Sequence, residues 1–130
     1  MSSTHILVVD DDSSILELIA QVLIDEGFNV ITAGDGRTAV ALARSRLPKL
    51  ILLDLMMPGM NGWQVVAALQ ATPQTDAIPV ILLSARRDLA TTAVDLGATA
   101  YLEKPFDLDD LVQHVQHYAG RDEHPSEREN

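Results

Sequence analysis

Short apolar runs alternate along the chain with segments of helical periodicity, and this alternation constrains the fold more than any other feature of the sequence. The runs are continuously apolar, as in Ile6-Leu7-Val8-Val9 and Leu50-Ile51-Leu52-Leu53. Such runs are typical of strands that are buried on both faces of a sheet. Between them, apolar residues recur three and four positions apart, as in the segment from Ile15 to Leu23, and this spacing predicts amphipathic helices.

The alternation predicts five strands, each followed by a helix. We place the strands at residues 6–9, 29–33, 50–53, 79–83 and 100–102. The helices are predicted at residues 15–23, 38–45, 63–70 and 89–96, with a last helix through residues 108–115, and residues 72–76 are expected to end the third. Ser13 or Ser14 is the predicted N-cap of the first helix, and Gly27 its C-terminal stop. This order implies an α/β fold with a parallel sheet and helices on both faces.

The length of 130 residues corresponds to one domain, because domains average roughly 150 residues. We assign residues 4–119 to that domain. Residues 120–130 contain no large apolar side chain, so we expect them to form a polar, disordered tail. We expect no output domain after that tail.

The charge balance excludes several classes of partner. Nine basic residues against 19 acidic ones give a net charge of −10, which argues against direct binding of nucleic acid or of an anionic membrane surface. The absence of cysteine excludes disulfides, thiolate nucleophiles and cysteine-based zinc sites. We see no signal peptide and no apolar run of about 18 residues that would span a membrane. The expected location is the cytoplasm.

Polar side chains follow four of the five predicted strands. Asp10-Asp11-Asp12 follows the first strand, Asp54 the third, Ser84 the fourth and Lys104 the fifth. In an open parallel sheet, binding sites form beyond the carboxyl ends of the strands. We therefore expect these side chains to meet at one edge of the sheet.

Three of these carboxylates predict a metal site. Asp10, Asp11 and Asp54 would repel one another at adjacent strand ends, and a hard cation such as Mg²⁺ (or Mn²⁺) would relieve the repulsion. The alternative is a solvated acidic loop. For Asp12 alone we favour a structural role, in which its charge lies at the positive end of a helix.

Asp54 is also a candidate nucleophile, because a carboxylate can attack phosphorus to give an acyl phosphate. Ser84 could donate a hydrogen bond to a phosphoryl oxygen, and Lys104 could supply a positive charge. Taken alone, Ser84 could instead be a turn or N-cap residue and Lys104 an ordinary solvated lysine. Their joint position at strand ends favours the site.

These residues carry a resemblance to the receiver domains of two-component response regulators, of the single-domain kind found in chemotaxis. The matching segments are Ile6 to Asp12, Asp54 to Gly62, Val80 to Ala85 and Gly97 to Phe106. The intervals of 43 (11 to 54), 30 (54 to 84) and 20 (84 to 104) suit that family. The resemblance covers residues 5–119 and implies a flavodoxin-like, doubly wound (βα)5 fold with strand order 2-1-3-4-5.

The resemblance implies a role for each site residue. Asp54 would be the phospho-acceptor, with Ser84 and Lys104 binding the phosphoryl group. Asp11 would ligate Mg²⁺ directly and Asp10 directly or through water. The backbone carbonyl of Met56 would be a further ligand.

It also implies that Tyr101 is an aromatic switch that turns inward when Ser84 moves, and that the bond before Pro105 is cis. Met56 and Arg86 occupy the positions that tune dephosphorylation in this family. Arg86 could pair with the phosphoryl group or face solvent, and we favour solvent. Because apolar Met56 orients water poorly, we expect a long-lived phosphorylated state.

We therefore expect a phospho-accepting response regulator rather than a turnover enzyme. A histidine kinase or histidine phosphotransfer protein would donate the phosphoryl group. The output would be a contact with a downstream protein through residues 88–96, 100–103 and 108–118, and phosphorylation-dependent homodimerisation through that face is a further option. Two alternatives are a receiver-like module that acts without phosphorylation and a receiver cut from a longer regulator with an output domain.

Two enzyme classes fit less well. A nucleotide or flavin site would need a first loop rich in Gly, Ser or Thr, whereas this loop opens with three aspartates. An aspartate-dependent phosphatase would want a second Asp where Met56 stands. Packing beside the loop is our interpretation of Trp63, and a solvated or partner-facing surface that of His114 and His117.

Overall fold

The computed structural model describes residues 5–120, which form a five-stranded parallel sheet with helices on both faces. The strand order is β2-β1-β3-β4-β5, as the resemblance implied. The strands are β1 (His5–Val9), β2 (Asn29–Ala33), β3 (Leu50–Asp54), β4 (Val80–Ser84) and β5 (Ala100–Glu103). Thr4, and residues 121–130 of the predicted tail, lie outside the described residues.

Within residues 5–120, five helices lie between the strands and a sixth follows the last strand. They are α1 (Ser13–Asp25), α2 (Gly36–Arg46), α3 (Gly62–Gln70), α4 (Pro73–Asp76), α5 (Leu89–Leu96) and α6 (Leu108–Ala119). None of the helices between residues 5 and 120 is long and apolar enough to cross a membrane.

Two local predictions were wrong. The segment expected only to end α3 forms the one-turn helix α4, which begins at Pro73 because proline suits the first helical position. The N-cap of α1 is Asp12 rather than Ser13 or Ser14. Its Oδ1 accepts hydrogen bonds from the backbone amides of Ser14 and Ile15, at 3.0 and 3.3 Å. The structural role favoured for Asp12 is thus the one that the structure shows.

The two faces of the sheet build two separate apolar clusters. Alternate strand residues such as Ile51 and Leu53 pack with α2, α3 and α5, whereas Leu50 and Leu52 pack with α1 and α6. All five residues of β3 are buried, because β3 is the central strand of the sheet. The last of them, Asp54, therefore lies where a carboxylate is partly shielded from water.

Candidate functional site

Three carboxylates converge at the carboxyl edge of the sheet. Asp10 and Asp11 follow β1, Asp54 ends β3, and these two strands are hydrogen-bonded neighbours. One oxygen of each carboxylate lies within 4.8 Å of the others. Asp10 and Asp54 are buried, with 1% and 4% of their surfaces exposed, whereas Asp11 is open to solvent. This oxygen-only donor set fits a hard divalent cation.

Lys104 is the positive charge at the centre of this cluster. Its Nζ lies 3.0 Å from Oδ2 of Asp10 and 3.7 Å from Oδ2 of Asp54. The backbone amide of Lys104 also donates to the Ser84 carbonyl at 2.8 Å, which fixes the start of the loop after β5. In this structure Lys104 pairs with the carboxylates of Asp10 and Asp54. It is also close enough to interact with an anionic group bound to Asp54.

Burial raises the pKa of Asp54 to about 6. Lys104 acts in the opposite direction, the charge of Asp10 raises the pKa further, and a hydrogen bond from Met56 lowers it. Asp11 adds a smaller upward contribution. Lys104 therefore offsets only part of the effect of burial and of the neighbouring carboxylates on Asp54, and a bound cation would favour its ionised form.

The loop after β3 also contacts the Asp54 side chain. The amide of Met56 donates to Oδ1 of Asp54 at 3.2 Å, and the Met56 side chain is 55% exposed. A Cβ atom at Gly62 would lie only 2.6 Å from Cα of Leu55, so the start of α3 approaches this loop as only glycine permits. The proposed metal contact of the Met56 carbonyl remains a prediction.

Ser84 ends β4 and is 1% exposed. Its Oγ accepts a hydrogen bond from the backbone amide of Arg86 at 3.2 Å. Because β4 pairs with β3, Ser84 lies at the strand end next to Asp54. Ser84 thus makes a turn hydrogen bond in this structure, and its phosphoryl-binding role remains a prediction.

The Arg86 side chain is 37% exposed, which agrees in part with the favoured solvent-facing position, and it also contacts two neighbouring residues. Its Nε and Nη2 donate to Oδ1 and Oδ2 of Asp88 at 2.9 and 2.8 Å. Its guanidinium carbon lies 5.1 Å from the ring centroid of Trp63, which packs beside the loop as predicted. The Asp88 hydrogen bonds lower the pKa of Asp88 and raise that of Arg86. Sequence reasoning missed Asp88 as a partner, although its place two residues after Arg86 was a usable signal.

The predicted switch residue lies on the edge strand β5. The side chain of Tyr101 is 42% exposed and lines a groove with Val94, His114 and Tyr118. The peptide bond between Lys104 and Pro105 is cis. Tyr101 thus occupies an outward position in this state.

The histidine pair on α6 does not form a metal cluster. Nδ1 of His114 lies 2.9 Å from the Asp110 carbonyl, and His117 packs edge-on against Tyr118 at 4.6 Å between ring centroids. Among the described residues, only the Asp10, Asp11 and Asp54 group has metal-binding geometry.

Comparisons with known proteins agree on one family. The family model for the response regulator receiver domain matches residues 6–116. The DNA-binding response regulator MtrA of Mycolicibacterium paratuberculosis is 42% identical over 126 residues, which are 95% of this chain and 55% of that protein. The response regulator PleD of Caulobacter vibrioides is 44% identical over 107 residues, 81% of this chain and 24% of that protein. The chain thus spans about half the length, or less, of these relatives.

Solved structures show the same fold. The chemotaxis response regulator CheY4 of Vibrio cholerae superposes with a TM-score of 0.82 at 32% identity, covering 90% of this chain and 99% of that one. The receiver domain of the sensor histidine kinase PA1611 from Pseudomonas aeruginosa was solved with a magnesium ion in its active-site cleft. It superposes with a TM-score of 0.81 at 27% identity, covering 92% of this chain and all of that one.

Proposed function

The chain belongs to the response regulator receiver domains of two-component signal transduction, and on that premise we propose that Asp54 is its phospho-acceptor. The carrying observation is the cluster of Asp10, Asp11 and Asp54 within 4.8 Å, with Lys104 beside it. We propose that a histidine kinase or histidine phosphotransfer protein is the donor. The domain then acts in the cytoplasm, where kinases have access to ATP.

In the proposed reaction, a carboxylate oxygen of Asp54 attacks the phosphorus of a phosphohistidine. The new O–P bond forms as the P–N bond breaks, and the electron pair of the P–N bond returns to the imidazole nitrogen of the donor. Lys104 lies close enough to Asp54 to interact with the negative charge of the incoming group, and the Ser84 hydroxyl can donate a hydrogen bond to a phosphoryl oxygen. The product is an acyl phosphate.

The acidic cluster holds Mg²⁺ (or Mn²⁺) in this proposal. The ion would neutralise phosphoryl oxygens as the group is transferred. Asp11 is the freest ligand, because both oxygens of Asp10 are already engaged: Oδ1 accepts from the Asp12 amide at 2.9 Å and Oδ2 from Lys104 at 3.0 Å. This supports contact of Asp10 through water, while Asp54 and the Met56 carbonyl complete the protein ligands.

The output surface we propose is the face formed by α5, β5 and α6. Val94 is 78% exposed there, and Tyr101 and Tyr118 are 42% and 37% exposed. Apolar and aromatic side chains of this kind suit a protein partner, which includes a second copy of the chain. The domain itself would switch this contact rather than turn over a substrate.

Two alternatives remain: a receiver that is part of a longer regulator, and a receiver that acts without phosphorylation. Relatives such as MtrA are DNA-binding regulators about twice the length of the chain, which supports the reading as a receiver fragment with an output domain. The net charge of −10 over the 130 residues supports the proposal that this chain does not itself contact nucleic acid or a membrane. A receiver that acts by binding alone is the other alternative.

Intact-mass measurement after incubation with acetyl phosphate and Mg²⁺ tests the proposal. We expect one phosphoryl adduct, absent in Asp54→Asn and in a sample with EDTA. An adduct that persists in Asp54→Asn would show a different acceptor. No adduct on a protein that binds Mg²⁺, even with kinases as donors, would favour the phosphate-independent module.

A further inference from the structure

Asp88 stands at the N-cap position of α5 but does not cap that helix. Its side chain makes no hydrogen bond to the amides of the first turn. Four other helices of the described chain are capped by Asp or Asn side chains that do make this bond, namely Asp12, Asp35, Asn61 and Asp107. Asp is a favoured N-cap residue, so its failure to cap α5 requires a cause.

Two features keep Asp88 from capping α5. Arg86 occupies both of its carboxylate oxygens, and the Asp88 backbone, with φ −96° and ψ 29°, is not extended as it is in the four capping residues. The same guanidinium rests on the ring of Trp63 at the start of α3. The Arg86 backbone amide in turn donates to Oγ of Ser84. A chain of contacts therefore joins the hydroxyl beside the acceptor site to the start of α5.

Ser84 is the end of this chain that a phosphoryl group would disturb. Its buried hydroxyl accepts from Arg86, and among residues 5–120 it donates to no group shown by the structure. A buried donor gains free energy when it finds an acceptor, and phosphoryl oxygens on neighbouring Asp54 are strong acceptors. When Ser84 turns toward them, its bond with the Arg86 amide weakens and the loop at residues 85–88 is released.

We propose that Asp88 is a two-position switch residue, which pairs with Arg86 in the unphosphorylated state and caps α5 in the phosphorylated state. This inference rests on the proposed function, because the phosphoryl group on Asp54 supplies the bias. The side chains of Arg86 and Asp88 are 37% and 54% exposed. An ion pair so open to water contributes little, and an N-cap bond is of comparable strength.

Because neither interaction of Asp88 is strong, a small bias at Ser84 would be enough to change the populations of the two arrangements. The exchange would stabilise the first turn of α5. That helix carries Val94 on the proposed output face, so the switch links the acceptor site to the partner surface. Trp63 is the single tryptophan and loses its guanidinium neighbour in the same step.

The test is the binding of beryllofluoride with Mg²⁺, as a phosphoryl mimic, to four variants. Arg86→Ala and Asp88→Asn both break the ion pair but keep a side chain that can cap α5. We expect both to bind the mimic about threefold or more tightly than wild type, since they remove competition from the resting arrangement. Asp88→Ala removes the pair and the cap, and it should bind more weakly than Asp88→Asn. Asp95→Asn on the exposed side of α5 is the charge-matched control, with no change expected.

Hydrogen exchange locates the change. With the mimic bound, the amides of Ala90 and Thr91 in wild-type protein should gain protection, and this gain should disappear in Asp88→Ala. Trp63 emission should change on binding in wild type, whereas Arg86→Ala should show the changed emission before the mimic is added.

Several results would overturn the inference. Weaker binding by Arg86→Ala would mean that Arg86 contacts the phosphoryl group itself. Equal binding by Asp88→Asn and Asp88→Ala would exclude the cap. If wild-type protein binds the mimic but Ala90 and Thr91 gain no protection, the switch is refuted and the proposed function is not. If wild-type protein binds no mimic in the presence of Mg²⁺, both the switch and the proposed function are refuted.

Discussion

Replacement of Asp54 by asparagine should stabilise the protein at neutral pH in the absence of divalent cations. The Asp54 side chain is 6% exposed and lies near Asp10 and Asp11, and Lys104 offsets only part of the cost of burying its charge. Asparagine keeps the size of the side chain and can still accept the Met56 hydrogen bond, but it carries no charge to desolvate.

The pKa of Asp54 sets the magnitude and the pH range. It is raised from 3.8 to about 6 in the folded protein, so the folded state binds the proton more tightly than the unfolded chain. The associated stability is complete below pH 3.8 and is lost as the pH rises through about 6. At 1.36 kcal/mol per pKa unit, the loss above pH 7 is at most about 3 kcal/mol, and Asp54→Asn does not suffer it.

Urea unfolding of both proteins at pH 4 to 8 in EDTA is the assay, with Asp95→Asn as a control for the loss of one exposed negative charge. We expect the free energy of unfolding of Asp54→Asn to exceed that of wild type by about 2–3 kcal/mol at pH 7.5. This difference should disappear near pH 4. Added Mg²⁺ should narrow the gap at pH 7.5, because it stabilises the wild-type carboxylates. A gap that is absent, or that grows toward low pH, would refute the account of a destabilising buried charge.

Substitutions at three further positions test the site and the residues that support it. Asp12→Ala should destabilise the protein by about 1 kcal/mol through loss of the α1 cap, and Asp12→Asn should not; urea unfolding distinguishes them. Gly62→Ala places a Cβ within 2.6 Å of the Leu55 backbone and should lower the free energy of unfolding by about 1–3 kcal/mol. It should also weaken Mg²⁺ binding, measured by titration. An unchanged Mg²⁺ affinity would show that the loop after β3 does not shape the metal site. Met56→Asn should shorten the life of the phosphorylated state, because a polar side chain there can orient water; an unchanged decay rate of the adduct would contradict this.

The fold was accessible from the sequence because its signals are local. The run from Leu50 to Leu53 predicts a strand buried on both faces, and the structure buries all of β3. The periodic apolar positions of α1 and α6 likewise place Ile19, Leu23, Leu111 and Val115 in the core. The α1 cap was predicted at Ser13 or Ser14 but lies at Asp12, because backbone geometry decides which of three adjacent polar residues can cap the helix.

Helix α4 is a second feature that the local sequence pattern did not predict. The Thr72-Pro73 pair is compatible with both a loop and a helix start. The structure shows the hydroxyl of buried Thr75 donating to the Leu69 carbonyl at 2.6 Å, which holds this turn against the end of α3. That bond depends on where α3 ends, and a local pattern does not specify it.

The sequence by itself determined which polar residues follow the buried strands, and parallel strands bring such residues to one edge of the sheet whatever the details of packing. Only the tertiary structure decided how these residues interact. Lys104 pairs with Asp10 across 94 positions of sequence, burial raises the pKa of Asp54, and Arg86 pairs with Asp88 while it lies over the ring of Trp63. Periodicity is a property of neighbouring residues, whereas charge pairing and desolvation depend on distances that exist only once the chain has packed.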